Sequence, residues 1–389
     1  MEEKVLMERH SHKSHKIRKL IFILVVVALI LFGTFKLVEY FFPHVTQVVF
    51  HPGATLKETD GRTNILVLGI GGGSHDGPNL TDTIMLASIN WKKNTVTLIS
   101  IPRDLWVPSL PGYVKKINEA YQVGLDNTPP NGLQYASNAI SQVTGQKVQY
   151  AVRIDFQGFV DAINDIGGID VTVQRTLDDY YYPISGDEDD TCGHSAAEVQ
   201  AFNASASAQT LDDVYNFYPC RYKHLHFNPG LQHMDGETAL EFARSRHASG
   251  IEGTDFARSA RQQLVIEAVR NKMISSAIFN PGKIISLYNI VKSSVDTNIT
   301  DADLGLFLDK LPQLKTAKII SVVIDYGDYT TGRLGLLENS PVSPEYDFSA
   351  ALIPRIGDGN FSEIHSYITC ELTKANCTVK PLPTTTPAQ

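Results

Sequence analysis

Three short apolar runs open the folded part of the chain: Asn64–Ile70 (NILVLGI), Thr83–Asn90 (TIMLASIN) and Thr95–Ile101 (TVTLISI). Each is rich in branched side chains and is bounded by Gly, Asn or Pro, the pattern of buried β-strands. The connection Trp91–Asn94 between the last two is of hairpin length. Helical spacing of apolar positions follows at Lys116–Gln122, Leu133–Val143 and Phe156–Ile166, the last with Asp155 placed to cap it. Gln149–Ile154 and, after Gly167-Gly168, Ile169–Val173 read as strands, so the chain contains a strand–helix–strand unit and an α/β fold is expected. Asp178–Phe227 is polar, tyrosine-rich and without core periodicity, and reads as an insertion at about 178–228. Helices resume at Gly236–Ala243 and at Phe256–Met273, where Leu264, Val265, Ala268, Val269 and Met273 form an apolar stripe. A helix pair, Lys283–Val295 and Asp301–Leu314, leads to a last strand at Lys318–Ile324, and the Pro/Thr-rich end beyond Cys377 reads as a mobile tail. There is no internal repeat.

The N-terminal pattern differs. Leu20–Phe35 is uncharged and apolar, and its continuation to Phe42 suffices to span a bilayer, which takes about 20 helical residues. Lys36 can snorkel to the interface. Lys13, Lys16, Arg18 and Lys19 precede the run and no comparable basic cluster follows, so the N-terminus is expected inside and everything after Phe42 outside. A cleaved signal peptide is the competing reading, but no small-x-small site follows the run. The expected organisation is a basic tail (1–19), a single-pass anchor (20–42), a linker (43–60), one domain (61–325), and an extension with a flexible tail (326–389).

Composition narrows the function. Of 389 residues 43% are hydrophobic, enough for a large core, and the formal net charge of −8 argues against a nucleic-acid binder held by general electrostatics. A local basic pocket remains compatible with that balance. The four cysteines fall as Cys192 with Cys220 and Cys370 with Cys377, all in the part expected outside, where oxidation is permitted. Local pairing is the simplest of three connectivities, and sequence does not choose among them. His10, His12 and His15 read as a solvated basic tail in preference to a metal site, since no carboxylate or cysteine frames them.

The densest chemical signal is FARSRHASGIEGTDFARSARQQ, from Phe242 to Gln263, which carries Arg244, Arg246, Arg258 and Arg261. Guanidinium forks match phosphate oxygens two at a time and stay charged, which suits a pyrophosphate. Arg258 and Gln262 lie four apart on a predicted helix and share a face, whereas Arg244 and Arg246 align only if the chain is extended there. The competing reading is a solvated face paired with Glu241, Glu252 and Asp255. Ser100-Ile101-Pro102-Arg103-Asp104 shifts that balance, because Arg103 emerges at the C-terminal end of a strand, where α/β sheets commonly bind ligands.

Three signatures in order resemble the LytR-CpsA-Psr family: LTDTIMLASIN (Leu80–Asn90), TLISIPRDLWV with the following KKINEAY (Thr97–Tyr121), and ETALEFARSRH with DFARSARQQ (Glu237–Gln263). The likeness covers roughly Asn64–Met273 and, less distinctly, the chain to Ile324. It implies a mixed β-sheet flanked by helices in three α-β-α layers behind one transmembrane helix, at the bacterial cytoplasmic membrane with the domain outside. It also implies a phosphotransferase that moves a glycan from a polyprenyl pyrophosphate carrier to peptidoglycan with Mg²⁺ assisting. On the matching positions Arg103, Arg244, Arg246 and Arg258 would hold the phosphates, with Lys116 and Gln262 contributing, and Asp82 would hold or orient the metal; Asp82, Arg103, Arg244 and Arg246 are the implied catalytic set.

One departure from the family pattern stands out. Members usually place an aspartate directly after the first strand, where this chain reads Gly69-Ile70-Gly71-Gly72-Gly73. Asp76 either substitutes as a metal ligand, or the glycines serve only to bring backbone amides to a phosphate. Asp104 either orients Arg103 or accepts a proton, or it caps a turn. Tyr180–Tyr182 and Trp106 either stack on sugar rings or pack. Two other functions are compatible with the same residues: a pyrophosphatase using water as acceptor, and a noncatalytic lipid-glycan binding or regulatory module.

Overall fold

The computed structural model describes residues 53–73, 77–110, 113–204, 210–274, 294–328, 332–347, 351–374 and 377–382. Residues 53–56 and Thr300–Lys310 belong to a small separate unit; the fold and site below are those of the larger one, Lys57–Ile299 with Leu311–Gln389. No helix among the described residues is long and apolar enough to cross a membrane, and the expected span 20–42 lies outside them, as does Asp76.

The opening runs form strands β1 (Thr63–Ile70), β2 (Thr81–Asn90) and β3 (Thr95–Ser100). The strands β4 (Trp106–Leu110) and β5 (Tyr113–Lys116) make a small hairpin ahead of helix α1 (Ala120–Leu125). Here the expected helix starts late: Lys116 is still extended, and a single 3₁₀ turn, Ile117–Glu119, precedes α1. Next come α2 (Gly132–Thr144), β6 (Tyr150–Asp155), α3 (Phe156–Asp165), capped by Asp155 through Gly158 N–H, and β7 (Ile169–Val173). The insertion holds β8 (Leu177–Pro183), α4 (Ala196–Ala204), α5 (Leu211–Phe217) and β9 (Tyr222–Phe227), with a Cys192–Cys220 disulfide. Then follow β10 (Gly230–Met234), α6 (Gly236–Arg244), α7 (Asp255–Ile274), β11 (Val295–Thr297), α8 (Asp301–Lys315), β12 (Lys318–Val323) and α9 (Ser362–Thr373). The expected helix Lys283–Val295 lies almost wholly outside the described residues, and Val295 opens a strand instead.

The main sheet is mixed, in the order β11-β6-β1-β2-β3-β12. Pairing is parallel for β1 with β6 and β3 with β12, and antiparallel for β1 with β2, β2 with β3 and β11 with β6. Successive side chains on a strand point to opposite faces, so the burial of both Met85 and Leu86, and of both Leu98 and Ile99, means that the sheet is covered on each side. One core gathers Leu66, Leu68, Leu86 and Ile99 with the α2 stripe Ala136, Ala139, Ile140 and Val143. Gly145 ends α2 in the left-handed region at φ 67°, and its bare Cα lies against the His365 ring, whose Nε2 is 2.8 Å from the Gln142 carbonyl.

The residues beyond 325, expected as an extension and tail, enter this same core. Ile364, Ile368 and Leu372 recur every fourth position on α9 and pack into it, and Cys370–Cys377 closes the helix end. A second core surrounds β7 and holds Ile163, Phe242, Val265 and Ala268, with Leu264, Val269 and Met273 packed against it, so the α7 stripe contributes to packing inside the protein.

Arg261 fixes the loop between α6 and α7. It is 3% exposed and donates to the Phe242, Ser245 and Glu252 carbonyls and to the Glu252 carboxylate at 3.0 Å. Burial lowers its pKa and the adjacent Glu252 opposes that. Two stability outcomes follow. Arg261→Ala, which leaves Glu252 without its buried partner, is expected to cost about 3–5 kcal/mol in urea unfolding; a shift below about 1 kcal/mol would mean the guanidinium is not the pin. Ile368→Ala should cost about 2–5 kcal/mol with an unchanged denaturant slope, whereas a merely appended C-terminal helix would give a change within about 0.5 kcal/mol.

Candidate functional site

The site begins in strand register. Met85 of β2 pairs with Ser100, the last residue of β3, and three residues away along the chain from each, Asp82 and Arg103 face one another. The two side chains meet there, Arg103 Nη1 donating to Asp82 Oδ1 at 2.5 Å. β12 runs parallel beside β3, with Ile324 N–H donating to the Ser100 carbonyl, so the ends of two strands and the start of a third gather at one edge. That edge is the strand-tip position expected of Arg103.

The segment after Pro102 folds back on itself. Asn118 N–H donates to the Arg103 carbonyl and the Thr81 hydroxyl donates to the Asn118 carbonyl, which ties the KKINEAY run to both strands. Lys116 Nζ then reaches Asp104 Oδ1 at 3.0 Å, while Asp104 Oδ2 lies 3.6 Å from Arg103 Nε. Asp104 thus holds two cations in place, the orienting alternative of its sequence readings. Trp106 is 2% exposed and packs edge-on against Tyr346, so it is a core residue and not a sugar platform.

α7 supplies the opposite wall. Gln263 is buried and donates to Ser100 Oγ at 3.1 Å and to the Val322 carbonyl at 3.4 Å, locking the helix onto the strand ends. Its neighbour Gln262 and, one turn earlier, Arg258 therefore face a cavity of about 430 Å³ shared with Asp82 and Arg103. The remaining wall is greasy, with Ile84, Ile101, Ile251 and Ile324. Asp325 and Arg333 also line it, and they were not anticipated. Arg333 donates to both Asp325 oxygens, at 3.1 and 2.6 Å, across a segment that returns from beyond the last expected strand. No local sequence signal marks that return.

Arg244 and Arg246 do not line this cavity. Arg244 ends α6 with its guanidinium 4.0 Å from the Phe156 ring and Nη1 donating to the Tyr182 hydroxyl at 3.3 Å. Burial pushes the Tyr182 phenol up to about 12, so it stays neutral and able to accept that bond. The chain after Arg244 is extended at Ser245, as the spacing required, and Asp179 Oδ2 holds it by accepting from Ser245 Oγ and His247 N–H. Of the paired-face reading, Glu252 does contact the cluster through Arg261, and also meets Arg175, whereas Glu241 pairs with Lys223; the Asp255 side chain lies outside those described.

One glycine of the run is used internally. Gly72, at φ +70°, donates its N–H to the Pro78 carbonyl and lies so close to the Asp155 side chain that a Cβ would sit 2.8 Å from it. Asp155 is itself occupied, accepting from Gly158 N–H and Arg153. For a divalent metal, the described residues of the cavity offer Asp82, half exposed and with one oxygen bonded to Arg103; Asp325 is taken by Arg333. A single carboxylate fits Mg²⁺, which is commonly held by one or two carboxylates together with substrate phosphates.

Comparison with known proteins agrees with this architecture. The LytR_cpsA_psr family profile matches residues 44–336. The polyisoprenyl-teichoic acid–peptidoglycan teichoic acid transferase TagV of Bacillus subtilis strain 168 is 27% identical over 246 residues, which are 62% of this chain and 51% of TagV. The transferase of the same description, TagU of Oceanobacillus iheyensis, is 28% identical over 263 residues, 67% of this chain and 63% of TagU. The chain thus spans about half to two thirds of the length of these relatives. The crystal structure of B. subtilis TagV shares the fold, with a TM-score of 0.52 at 24% identity, covering 81% of this chain and 98% of that one. With the profile running across the sheet, the arginine loop and the cavity wall, the protein belongs to the LytR_cpsA_psr family.

Proposed function

We propose that the protein transfers a glycan phosphate from a polyprenyl pyrophosphate carrier to peptidoglycan and releases polyprenyl phosphate. The observation that carries this reading is one cavity in which Asp82, Arg103, Arg258 and Gln262 share walls with four isoleucines, a place for a diphosphate beside a hydrocarbon chain. The names of TagV and TagU, both teichoic acid transferases acting toward peptidoglycan, support the same substrate classes.

In this reading Arg103 and Arg258 bind the diphosphate oxygens and Gln262 adds a neutral donor. Lys116 contributes positive charge through the shared Asp104. An acceptor hydroxyl attacks the phosphorus next to the glycan, a new P–O bond forms, the bond to the bridging oxygen breaks, and polyprenyl phosphate leaves carrying the proton the hydroxyl gives up. Charge building on the leaving oxygen meets the Arg103 guanidinium, already oriented by Asp82 and Asp104, so little reorganisation is needed there. Mg²⁺, held by Asp82, would neutralise further phosphate charge. No covalent enzyme intermediate is required, because positioning and electrostatics suffice for phosphoryl transfer. Arg244 and Arg246, which do not line the cavity, are assigned to the same diphosphate on the family resemblance. Residues 20–42 anchor the chain in the bacterial cytoplasmic membrane with the site outside, a topology to which the two disulfides lend support.

A turnover assay tests this directly: full-length protein, a polyprenyl-pyrophosphate-linked glycan and peptidoglycan, with lipid phosphate release as readout. Release should depend on both acceptor and Mg²⁺, and Arg103→Ala, Arg258→Ala and Asp82→Ala should each slow it by about 10²–10³-fold. Release that proceeds equally without acceptor would identify a pyrophosphatase. No release under any metal condition would leave a binding module.

A further inference from the structure

The β8–β9 hairpin carries a second cluster of ligating side chains that the proposed reaction does not use. His224 and His226 lie two apart on β9 and so leave the same face, and the register sets Asp178 of β8 directly opposite His226. Asp178 Oδ1 is 2.9 Å from His224 Nε2 and 2.8 Å from His226 Nδ1, and the three ligand atoms lie within 4.8 Å of one another. Both histidines are exposed, so the cluster is open to solvent.

We propose that Asp178, His224 and His226 form a binding site for a divalent cation of the zinc class. Two imidazoles and one carboxylate are a ligand set that suits Zn²⁺ and leaves a fourth position for water. Tetrahedral zinc with bonds of about 2.0 Å separates its ligand atoms by roughly 3.3 Å, so the two Asp178–histidine contacts need open only slightly while the imidazoles stay within reach of one ion.

The surroundings favour a cation over a plain surface ion pair. To coordinate through Nδ1, His226 must carry its proton on Nε2, and Asn228 Oδ1 stands 3.2 Å from that nitrogen as the acceptor. An outer hydrogen bond of this type fixes the tautomer of a metal-bound imidazole. The His224 ring is held flat against Tyr180, with centroids 4.0 Å apart and planes 3° from parallel. An exposed carboxylate between two histidines is worth little as an ion pair alone and calls for neither device.

A cation here would clamp β8 to β9. β8 also holds the arginine loop: the Asp178 carbonyl accepts from Ser249 N–H at 2.8 Å, and Asp179 binds Ser245 and His247. The site would therefore brace the segment that follows Arg244. It is distinct in chemistry from the Mg²⁺ proposed at Asp82, since imidazole ligands suit zinc and Mg²⁺ takes oxygen.

Equilibrium dialysis of the full chain, purified without an affinity tag, against ZnCl₂ in excess Mg²⁺ reads this out. His226→Ala and Asp178→Asn should each remove one zinc equivalent per chain, and Asn228→Ala should weaken that equivalent by about 10–100-fold. His10, His12 and His15 are present in every variant, so their contribution cancels. Replacing zinc by Co²⁺ should give a visible absorption band that His226→Ala abolishes. Equal zinc uptake by wild type and both ligand variants, or no uptake by wild type, would overturn the proposal.

Discussion

The contact between Asp82 and Arg103 is the constraint around which the site is built. It is partly exposed, so as an ion pair it adds little to stability, and its importance is directional. The hairpin Trp91–Asn94 sets the register of β2 against β3, and that register alone decides which residues face each other where the strands stop pairing. A slip of one residue would turn Asp82 to the other face and leave Arg103 beside Thr81 or Thr83. Asp104 and Lys116 extend the arrangement into a row of alternating charges, so Arg103 and Lys116 are aimed before any phosphate arrives.

Much of this could be read from the chain, because strands buried on both faces write themselves as dense branched runs. Asn64–Ile70, Thr83–Asn90 and Thr95–Ile101 match the observed strands to within two residues, and Arg103 stands at the strand end where it was expected. The site was legible where it depends on local geometry: Arg258 and Gln262, four apart on a helix, do share a cavity. Nearness in sequence misled elsewhere. Arg244 and Arg246 lie close to Arg258 along the chain, but neither lines its cavity: Arg244 meets Phe156 and Tyr182, and Arg261 is drawn inward by carbonyl groups that no spacing rule reveals. Ile364, Ile368 and Leu372 span little more than two turns of a helix among polar residues, a pattern too short to announce a core element; only the packed partners on α2 show it to be one.

The glycine run shows the same limit from the other side. A carboxylate is absent where the family places one, and composition alone leaves open whether the loop compensates through its amides. In the fold, Gly72 spends its amide on Pro78 and its missing side chain on room for Asp155, whose own oxygens cap α3 and meet Arg153. Gly72 is thus a close-packing position, and Asp82 is left as the described carboxylate that faces the cavity without a bidentate arginine partner.

The helix α7 explains how so many demands are met by one element. At 3.6 residues per turn, Gln262 lies about 40° from Arg258 around the axis, Arg261 about 60° to the other side, and Gln263 about 140° away. These directions have different partners: the cavity for Arg258 and Gln262, the carbonyls of the arginine loop for Arg261, and the strand ends for Gln263. Val265 and Ala268 enter the second core. Rotating the helix by even one residue, about 100°, would break all of these contacts together, so the orientation of Arg258 toward the cavity is enforced by groups that never touch a ligand. That coupling makes the two buried residues, Arg261 and Gln263, as necessary to the shape of the site as the residues that line it.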